Sequence, residues 1–585
     1  MPTRIPYAVA NYEEIIADNY HFVDKTRFIN QLELYKIPVF LRPRRFGKSL
    51  WCSILECYYD IHRKDRFEEL FGKTTIGKDP TPSHNSLMVM RFNFSIVLPE
   101  RGVEKQEQRF DEVCANAIGG FCVDYADFLG AGFNFNQPQS ATTMLNAVLQ
   151  RVHNTKAPPV MIIIDEYDNF TNQLLTSRQD QLYQKITTGD SFLRSFYKAI
   201  KAGVEARTVA RVFVTGVLPV TMDDLTSGFN IGQIITLEDN TVDMMGFDQQ
   251  ELNTYLDGIF EEHGWGADLR KRVQEDLRIH YNGYRFLPAG KGLYNSTICN
   301  FYLNKLVIGE GKLPTDYQDI NLKVDVNWLK RLAGSEIATE VVDRLLNEGS
   351  IPVDFGQFKS QFNREKFVQP EFFPMSLFFL GLLSFKDEYS LGFPNLSVKM
   401  LFMEYYNDLM SIAVSSGYTE MCRAFLKDHD FSALFAGYWD RYVGQIPAQA
   451  FDKINENFFR ISFYEICTRY LSRYLHFAIE VNRPTGRSDF EALGRPGTAF
   501  EGKAWVLEFK HFKTKDLEEI KGWIEPRAGD VEQVNSYANS VTGTWPEYSV
   551  KRGVVYTISS KGFRFFGTDL QSGSTVPKYQ EDKIF

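Results

Sequence analysis

Val39-Phe-Leu-Arg-Pro-Arg-Arg-Phe-Gly-Lys-Ser49 decides how this 585-residue chain is read. An apolar run, Ile37 to Leu41, stops at a basic loop. Gly47-Lys48-Ser49 then opens a helical pattern with apolar positions at Leu50, Ile54 and Leu55. Strand, loop and helix in this order gather main-chain N–H groups and a helix N-terminus around phosphate. In that setting Lys48 reaches the outer phosphates of a nucleoside triphosphate, and the Ser49 hydroxyl ligates Mg2+. Arg42 stands where the loop pattern has its first glycine, and the same residues also suit a plain helix start. A second signal has to decide.

That signal is Pro159-Val-Met-Ile-Ile-Ile-Asp-Glu-Tyr-Asp168. Five consecutive apolar residues, Val160 to Ile164, predict a strand buried on both faces, as in a parallel sheet. The acidic pair falls at its C-terminal end, where ligands bind in open α/β sheets. Asp165 would hold Mg2+ through water, and Glu166 would orient or deprotonate the attacking water. An acidic helix cap has the same composition. Further strands are expected at Leu87–Phe94, Val212–Gly216 and Gln233–Leu237, alternating with helical segments, which predicts a doubly wound parallel sheet. Thr215, at the end of its strand, is placed either to sense the γ-phosphate or to form a Thr-Gly turn.

Phe22-Val-Asp-Lys-Thr26, Arg42 to Ser49, Ile164 to Asp168, Tyr281-Asn-Gly-Tyr284 and Tyr294-Asn295 together resemble the AAA-ATPase-like family of P-loop proteins, in order and across about the first 300 residues. In that family Arg-Pro-Arg-Arg-Phe-Gly-Lys-Ser/Thr is the usual loop, so the resemblance implies that Arg42 is a family trait. On physical grounds Arg42 would adopt a glycine's left-handed geometry only at a cost. Arg44 and Arg45 would compensate with charge beside the triphosphate. The expected nucleotide ligands are Arg44, Arg45, Gly47, Lys48, Ser49, Asp165 and Thr215, with ATP or another NTP as cofactor and Ser49 and Asp165 on Mg2+.

Composition narrows the alternatives. The hydrophobic share of 44% and charged share of 24% are those of a globular protein, and the length implies several domains. A net charge of −9 gives no overall attraction to nucleic acid, so any such site must be a local basic surface. Seven scattered cysteines without a CxxC pair argue against a disulfide framework and a zinc module. No apolar run is long enough to span a membrane and no leader pattern is visible, so a soluble, cytoplasmic protein is expected.

A second chemical cluster lies in Asn482-Arg-Pro-Thr-Gly-Arg-Ser-Asp-Phe490 and Ala504-Trp-Val-Leu-Glu-Phe-Lys510. Strand alternation puts Glu508 and Lys510 on one face and Phe509 on the other. A turn at Gly494-Arg-Pro-Gly497 would fold the preceding segment back as a hairpin and bring Asp489 beside Glu508. Two carboxylates and a lysine at one place suit phosphodiester hydrolysis: the acids bind one or two Mg2+ and Lys510 steadies the water or the developing charge. Glu-x-Lys is also an ordinary cross-strand charge pattern. The long Gly-containing insert between Asp489 and Glu508 is the feature most able to misplace the acids.

An Asp followed by Glu-x-Lys after an apolar strand resembles the PD-(D/E)XK nuclease superfamily, over residues 455–570. Gln533-Val-Asn-Ser-Tyr537 looks like the Gln-xxx-Tyr element of its exonuclease-like branch. That resemblance implies roles for Gln533 and Tyr537 and for Mg2+, or Mn2+, at Asp489 and Glu508. It also implies a further acid upstream, with Glu465 and Glu480 as candidates. Arg483, Arg487, Lys503, His511, Lys513 and Lys515 surround the cluster as phosphate contacts or as a solvated face.

The expected fold is α/β: a P-loop parallel sheet flanked by helices (1–240), a helical lid (241–300), a helical, winged-helix-like middle (301–450) and an α/β nuclease-like domain (451–585). The expected function is a nucleotide-regulated, metal-dependent nuclease with catalytic residues Glu166, Asp489, Glu508, Lys510, Gln533 and Tyr537. Its expected partners are a nucleoside triphosphate, nucleic acid and, in a homo-oligomer, its own copies, with no membrane. The alternative is a nucleotide-dependent interaction protein whose nuclease-like domain binds without cutting.

Overall fold

The computed structural model describes residues 3–135, 139–177, 179–225, 232–317, 336–358, 362–367, 369–414, 417–568 and 580–582. Residues 318–335, part of the stretch read as helical, lie outside the described residues. Two compact units emerge, chiefly Met1–Pro314 with Pro352–Leu396, and Thr339–Ile351 with Ser397–Phe585.

In the first unit, β1 (Pro38–Leu41), β2 (Met88–Asn93), β3 (Val160–Asp165), β4 (Val209–Gly216) and β5 (Gln233–Ile234) form one sheet. All pairs are parallel, in the order β2-β3-β4-β1-β5. Every residue of β1 and β3 is buried, which is why the sequence shows continuous apolar runs there and no alternation. This topology gathers the C-terminal ends of β1, β3 and β4, and with them the loop after β1 and the acids after β3. β5 is shorter than its apolar run. Leu41 N–H, the next donor along β1, bonds the Thr236 hydroxyl (2.8 Å) in place of a main-chain carbonyl.

Helices Val103–Asp124, Ala141–Thr155 and Phe192–Glu205 present apolar faces to the core. Gln249–His263 and Ala267–Tyr281 are the helices expected after the sheet. A short strand, β6 (Ser350–Pro352), precedes an antiparallel hairpin of β7 (Ser384–Asp387) and β8 (Ser390–Gly392), at the strand-like interruption seen in the sequence.

The second unit carries helices Gly417–Asp428, Phe431–Arg441 and Glu456–Leu471 ahead of a mixed sheet. Its strands are β9 (Leu475–Arg483), β10 (Gly486–Gly494), β11 (Lys503–Phe512), β12 (Ser549–Ile558), β13 (Gly562–Thr568) and β14 (Gln580–Asp582), neighbouring in that order. Only β11 and β12 pair in parallel, joined through helix Ala528–Thr544, whose Val534, Tyr537, Ala538 and Val541 pack onto Ala504 and Val506. Five phenylalanines lie on the opposite face: Phe431, Phe435, Phe463, Phe490 and Phe509 form a chain of aromatic contacts. Edge-to-face pairs of this kind add to simple area burial.

Candidate functional site

The first site is the loop between β1 and helix Lys48–Tyr59. Its left-handed residues are Arg45 (φ 73°) and Gly47 (φ 87°), the latter at the helix N-cap. Arg42 has no positive φ, so the cost expected for an arginine in the first glycine's place does not arise. Its backbone continues β1, with its N–H donating to Gly216 O (3.1 Å). Its side chain is 1% exposed and turns away from the loop to donate to the carbonyls of Leu41, Thr236 and Val242. The guanidinium carbon lies 4.2 Å from the Phe40 ring centre and 3.9 Å from that of Phe286. Burial pulls its pKa down to about 9. Arg42 thus ties the end of β1 to residues 236–242.

Arg44, Arg45, Gly47, Lys48, Ser49 and Glu166 line one cavity of about 440 Å³. Lys48 Nζ donates to the carbonyls of Arg42 and Pro43, both at 3.0 Å. Burial lowers the Lys48 pKa against the pull of Glu166, Asp168 and Asp165. Glu166 has φ 53°, and burial raises its pKa against Lys48. A non-glycine residue held in this region at a strand end is strained, a condition that recurs at functional sites. Asp165 is fully buried: Oδ2 accepts from Arg91 (3.2 Å) and Oδ1 has no partner. That orphaned anionic oxygen, close enough to Ser49 for Arg91 to bond both Asp165 and Ser49 O, suits the donor set of a nucleotide-bound Mg2+.

Thr215 is not brought to the cavity lining; its hydroxyl donates to Phe40 O (2.8 Å) within the sheet. Asp168, which sequence reasoning left without a role, is the brace of this site. Its carboxylate accepts from Val217 N, Leu218 N (2.7 Å) and Asn172 Nδ2 (2.6 Å), locking the end of β3 to the end of β4. Asn295 Nδ2 bonds Arg44 O and Thr297 N–H bonds Arg45 O, so residues 295–297 hold the loop after β1 in place. Gly283 (φ 94°) is required by contact as well: a Cβ there would lie 2.0 Å from Pro394 O.

The second site lies between β10 and β11. The register sets Phe490 opposite Leu507, so the next residues out, Asp489 and Glu508, face each other. The insert from 495 to 502 closes as a loop without shifting the acids. Asp489 Oδ2 accepts from Phe509 N (2.8 Å), and Oδ1 is bonded by Arg460 Nη1 from helix Glu456–Leu471. Glu508 is 1% exposed; Oε1 accepts from Lys510 Nζ (2.7 Å) and Oε2 has no partner. Burial, followed by the charge of Asp489, pushes the Glu508 pKa up to about 8. Lys510 is raised, burial being outweighed by Glu508 and Asp489. Lys510 Nζ is 3.5 Å from Gln533 Oε1, and Gln533 Nε2 donates to Tyr537 OH (3.0 Å). The five residues form one connected group.

Burial and the charge of Asp489 make an ionised Glu508 costly, which a divalent cation would relieve, and Glu508 offers an orphaned oxygen, so the donors fit Mg2+ or Mn2+ at Asp489 and Glu508. No group of three or more His, Cys, Asp or Glu residues able to hold a metal occurs among the described residues.

Two expectations about neighbours are corrected. Glu465 is held by Arg469, one turn along its helix (2.7 Å). The acid of that helix that shares the field of Asp489 and Lys510 is Glu456, whose pKa burial raises. Nine residues place Glu465 roughly 13 Å further along the axis. Glu480 is enclosed by Lys399, Arg460 and Arg487, which overcome its burial and bring its pKa to about 2. Of the six basic residues expected at phosphate, Arg483 is paired with Glu491, Arg487 with Glu480 and Lys503 with His429, and His511 bonds Thr557. Lys513 and Lys515 are exposed. Arg460, the residue most directly joined to the acids, lies among aromatics in a helix with no motif to mark it.

Among the described residues no helix is long and apolar enough to cross a membrane. Residues 6–226 match the family described as Predicted AAA-ATPase, and residues 454–566 match the PD-(D/E)XK nuclease superfamily. No curated protein matches the sequence. Among solved structures, a Walker-type ATPase of Pyrococcus abyssi aligns with 10% identity and a TM-score of 0.38, over 69% of this chain and 99% of its own. That likeness is too weak to carry an argument. The two family matches and the two sites coincide along the chain: residues 6–226 are similar to the Predicted AAA-ATPase family and residues 454–566 to the PD-(D/E)XK nuclease superfamily.

Proposed function

We propose that the chain is a nucleotide-regulated, metal-dependent nuclease, with an ATP-hydrolysing P-loop region controlling phosphodiester cleavage by the C-terminal region. The observation that carries the reading is the facing pair Asp489 and Glu508, with Lys510 on Glu508 and one Glu508 oxygen unpartnered. Bound Mg2+ would supply an activated water and neutralise charge on the phosphate. Lys510, kept protonated, is placed to stabilise the oxyanion that develops there. Gln533, itself bonded to Tyr537 OH, accepts from Lys510 Nζ. In the first site Lys48 would exchange the carbonyls of Arg42 and Pro43 for phosphate oxygens. Glu166, its affinity for a proton raised by burial, is the acceptor for the attacking water's proton. The working boundaries are 1–240 for the ATPase-like domain, 241–300 for the lid, 301–450 for the middle and 451–585 for the nuclease-like domain. A cytoplasmic setting would keep the seven buried thiols reduced.

The test is cleavage of DNA and RNA by the purified chain with and without Mg2+ and ATP. Glu508→Ala and Lys510→Ala should abolish cleavage, and full activity in either sinks the nuclease reading. Lys48→Ala should lose nucleotide binding, whereas Glu166→Gln should bind but not hydrolyse. One observation favours a second reading, a nucleotide-dependent binder that does not cut: both Asp489 oxygens are already bonded, by Arg460 and Phe509. A metal soak separates the two, since electron density between Asp489 and Glu508 supports the enzyme.

A further inference from the structure

Arg460 connects two acids. Its guanidinium bonds Asp489 Oδ1 through Nη1 and Glu480 Oε1 through Nη2 (2.8 Å), with Asn457 Oδ1 also on Nη2. The side chain is about nine-tenths buried, and its Nε has no partner. Glu480 is held independently by Lys399 Nζ (3.0 Å) and by Arg487. It takes φ 57° where the β9–β10 register skips a pair, between Ser488 with Val481 and Phe490 with Ile479. Three cations therefore face two carboxylates beside the Glu508 oxygen that has no partner. Glu480 would remain neutralised if Arg460 left it, whereas Asp489 would keep only the Phe509 N–H. A cation and a guanidinium cannot share Asp489 Oδ1 cheaply, because two positive charges in a poorly hydrated site repel strongly. A displaced Arg460, with five donors in a planar fork, is suited to phosphate.

We propose that Arg460 is the resident counter-ion of Asp489, that a divalent metal displaces it, and that it then engages the phosphate of the nucleic acid, so that metal and nucleic acid bind in a mutually dependent way. The proposal rests on the nuclease reading above and adds that the empty-handed enzyme holds metal weakly. The coupling is reciprocal: whatever factor nucleic acid adds to metal affinity, metal adds to nucleic-acid affinity.

The experiment measures free Mn2+ by electron paramagnetic resonance during titration of the full chain without nucleotide. Wild type, Arg460→Met, Arg460→Lys and Glu508→Gln are compared, with and without a hydrolysis-resistant phosphorothioate DNA duplex. Glu508→Gln serves as the blank for Mn2+ bound elsewhere, on the protein or on the duplex. Arg460→Met is expected to bind Mn2+ without DNA about tenfold or more tightly than wild type, a typical coupling factor. Wild type should gain a similar factor when the duplex is added, and Arg460→Met should gain none. Arg460→Lys, which keeps the charge without the fork, should fall between them and carries the test if the Met variant does not fold. Equal Mn2+ affinity in wild type and the Arg460 variants, with Glu508→Gln still lower, overturns the proposal and leaves the nuclease reading standing. Mn2+ binding unchanged in Glu508→Gln overturns both.

Discussion

Replacing Arg42 by glycine would restore the sequence pattern of a phosphate loop, yet the structure says it should damage this protein. The buried guanidinium donates three hydrogen bonds to carbonyls. A charged donor contributes ~2 kcal/mol per bond, roughly 6 kcal/mol together. Two ring faces at 4.2 and 3.9 Å from the guanidinium carbon add about 3 kcal/mol when desolvated. Against this stands the burial of the charge. A fall in pKa from 12.5 to about 9 corresponds to roughly 5 kcal/mol. The favourable terms win by about 4 kcal/mol, and the void left by the side chain enlarges the loss. Arg42→Gly should therefore lower the melting transition by ~5 °C or more for a unit of this size. The transition to follow by calorimetry is the one that ATP shifts upward when added at constant Mg2+, since only a ligand of the native first unit moves it. Arg42→Met, which keeps the packing and removes both the bonds and the buried charge, should lose less. An Arg42→Gly chain that melts at or above the wild-type temperature and binds ATP more tightly would refute the assignment of Arg42 as a brace.

Three further outcomes are expected. Folded Glu508 holds its proton to about pH 8 while the unfolded chain releases it near 4.5, so between these values the folded state binds more protons and stability falls as pH rises. In EDTA, urea unfolding of the second unit should show this decline from pH 5 to 8, and Glu508→Gln should flatten it; a flat wild-type profile counts against the buried acid pair. Asp168→Ala removes the acceptor of the Val217 and Leu218 amides. It should cost about 3 kcal/mol, with faster hydrogen exchange at those two amides; unchanged protection there would dismiss Asp168 as a brace. Gly283→Ala should fail to fold or melt far below wild type because of the Pro394 carbonyl, whereas Gly120→Ala, inside helix Val103–Asp124 and meeting nothing within 4 Å, should be neutral or slightly stabilising. Equal melting of the two rejects the close approach.

The sequence by itself determined the two family resemblances and their order. Runs such as Val160 to Ile164 are continuous because both faces of a parallel strand are buried, and acids placed directly after such a run must emerge at the ligand-binding edge. Glu508 and Lys510 were legible because strand alternation is local, and Asp489 because a single hairpin joins it to Glu508. Tertiary structure decided which charges are available. Whether Arg42 lines a phosphate or braces β1 depends on carbonyls of residues 236 and 242, about two hundred positions away along the chain. Thr215 sits at the expected strand end, but its hydroxyl is bonded into the neighbouring strand. Glu456 and Arg460, not Glu465, approach the acids because the packing of a helix against β9 to β11 fixes which turn faces them. Charge pairing across elements is a property of distance in space. A pattern of residue types along one chain carries no record of it.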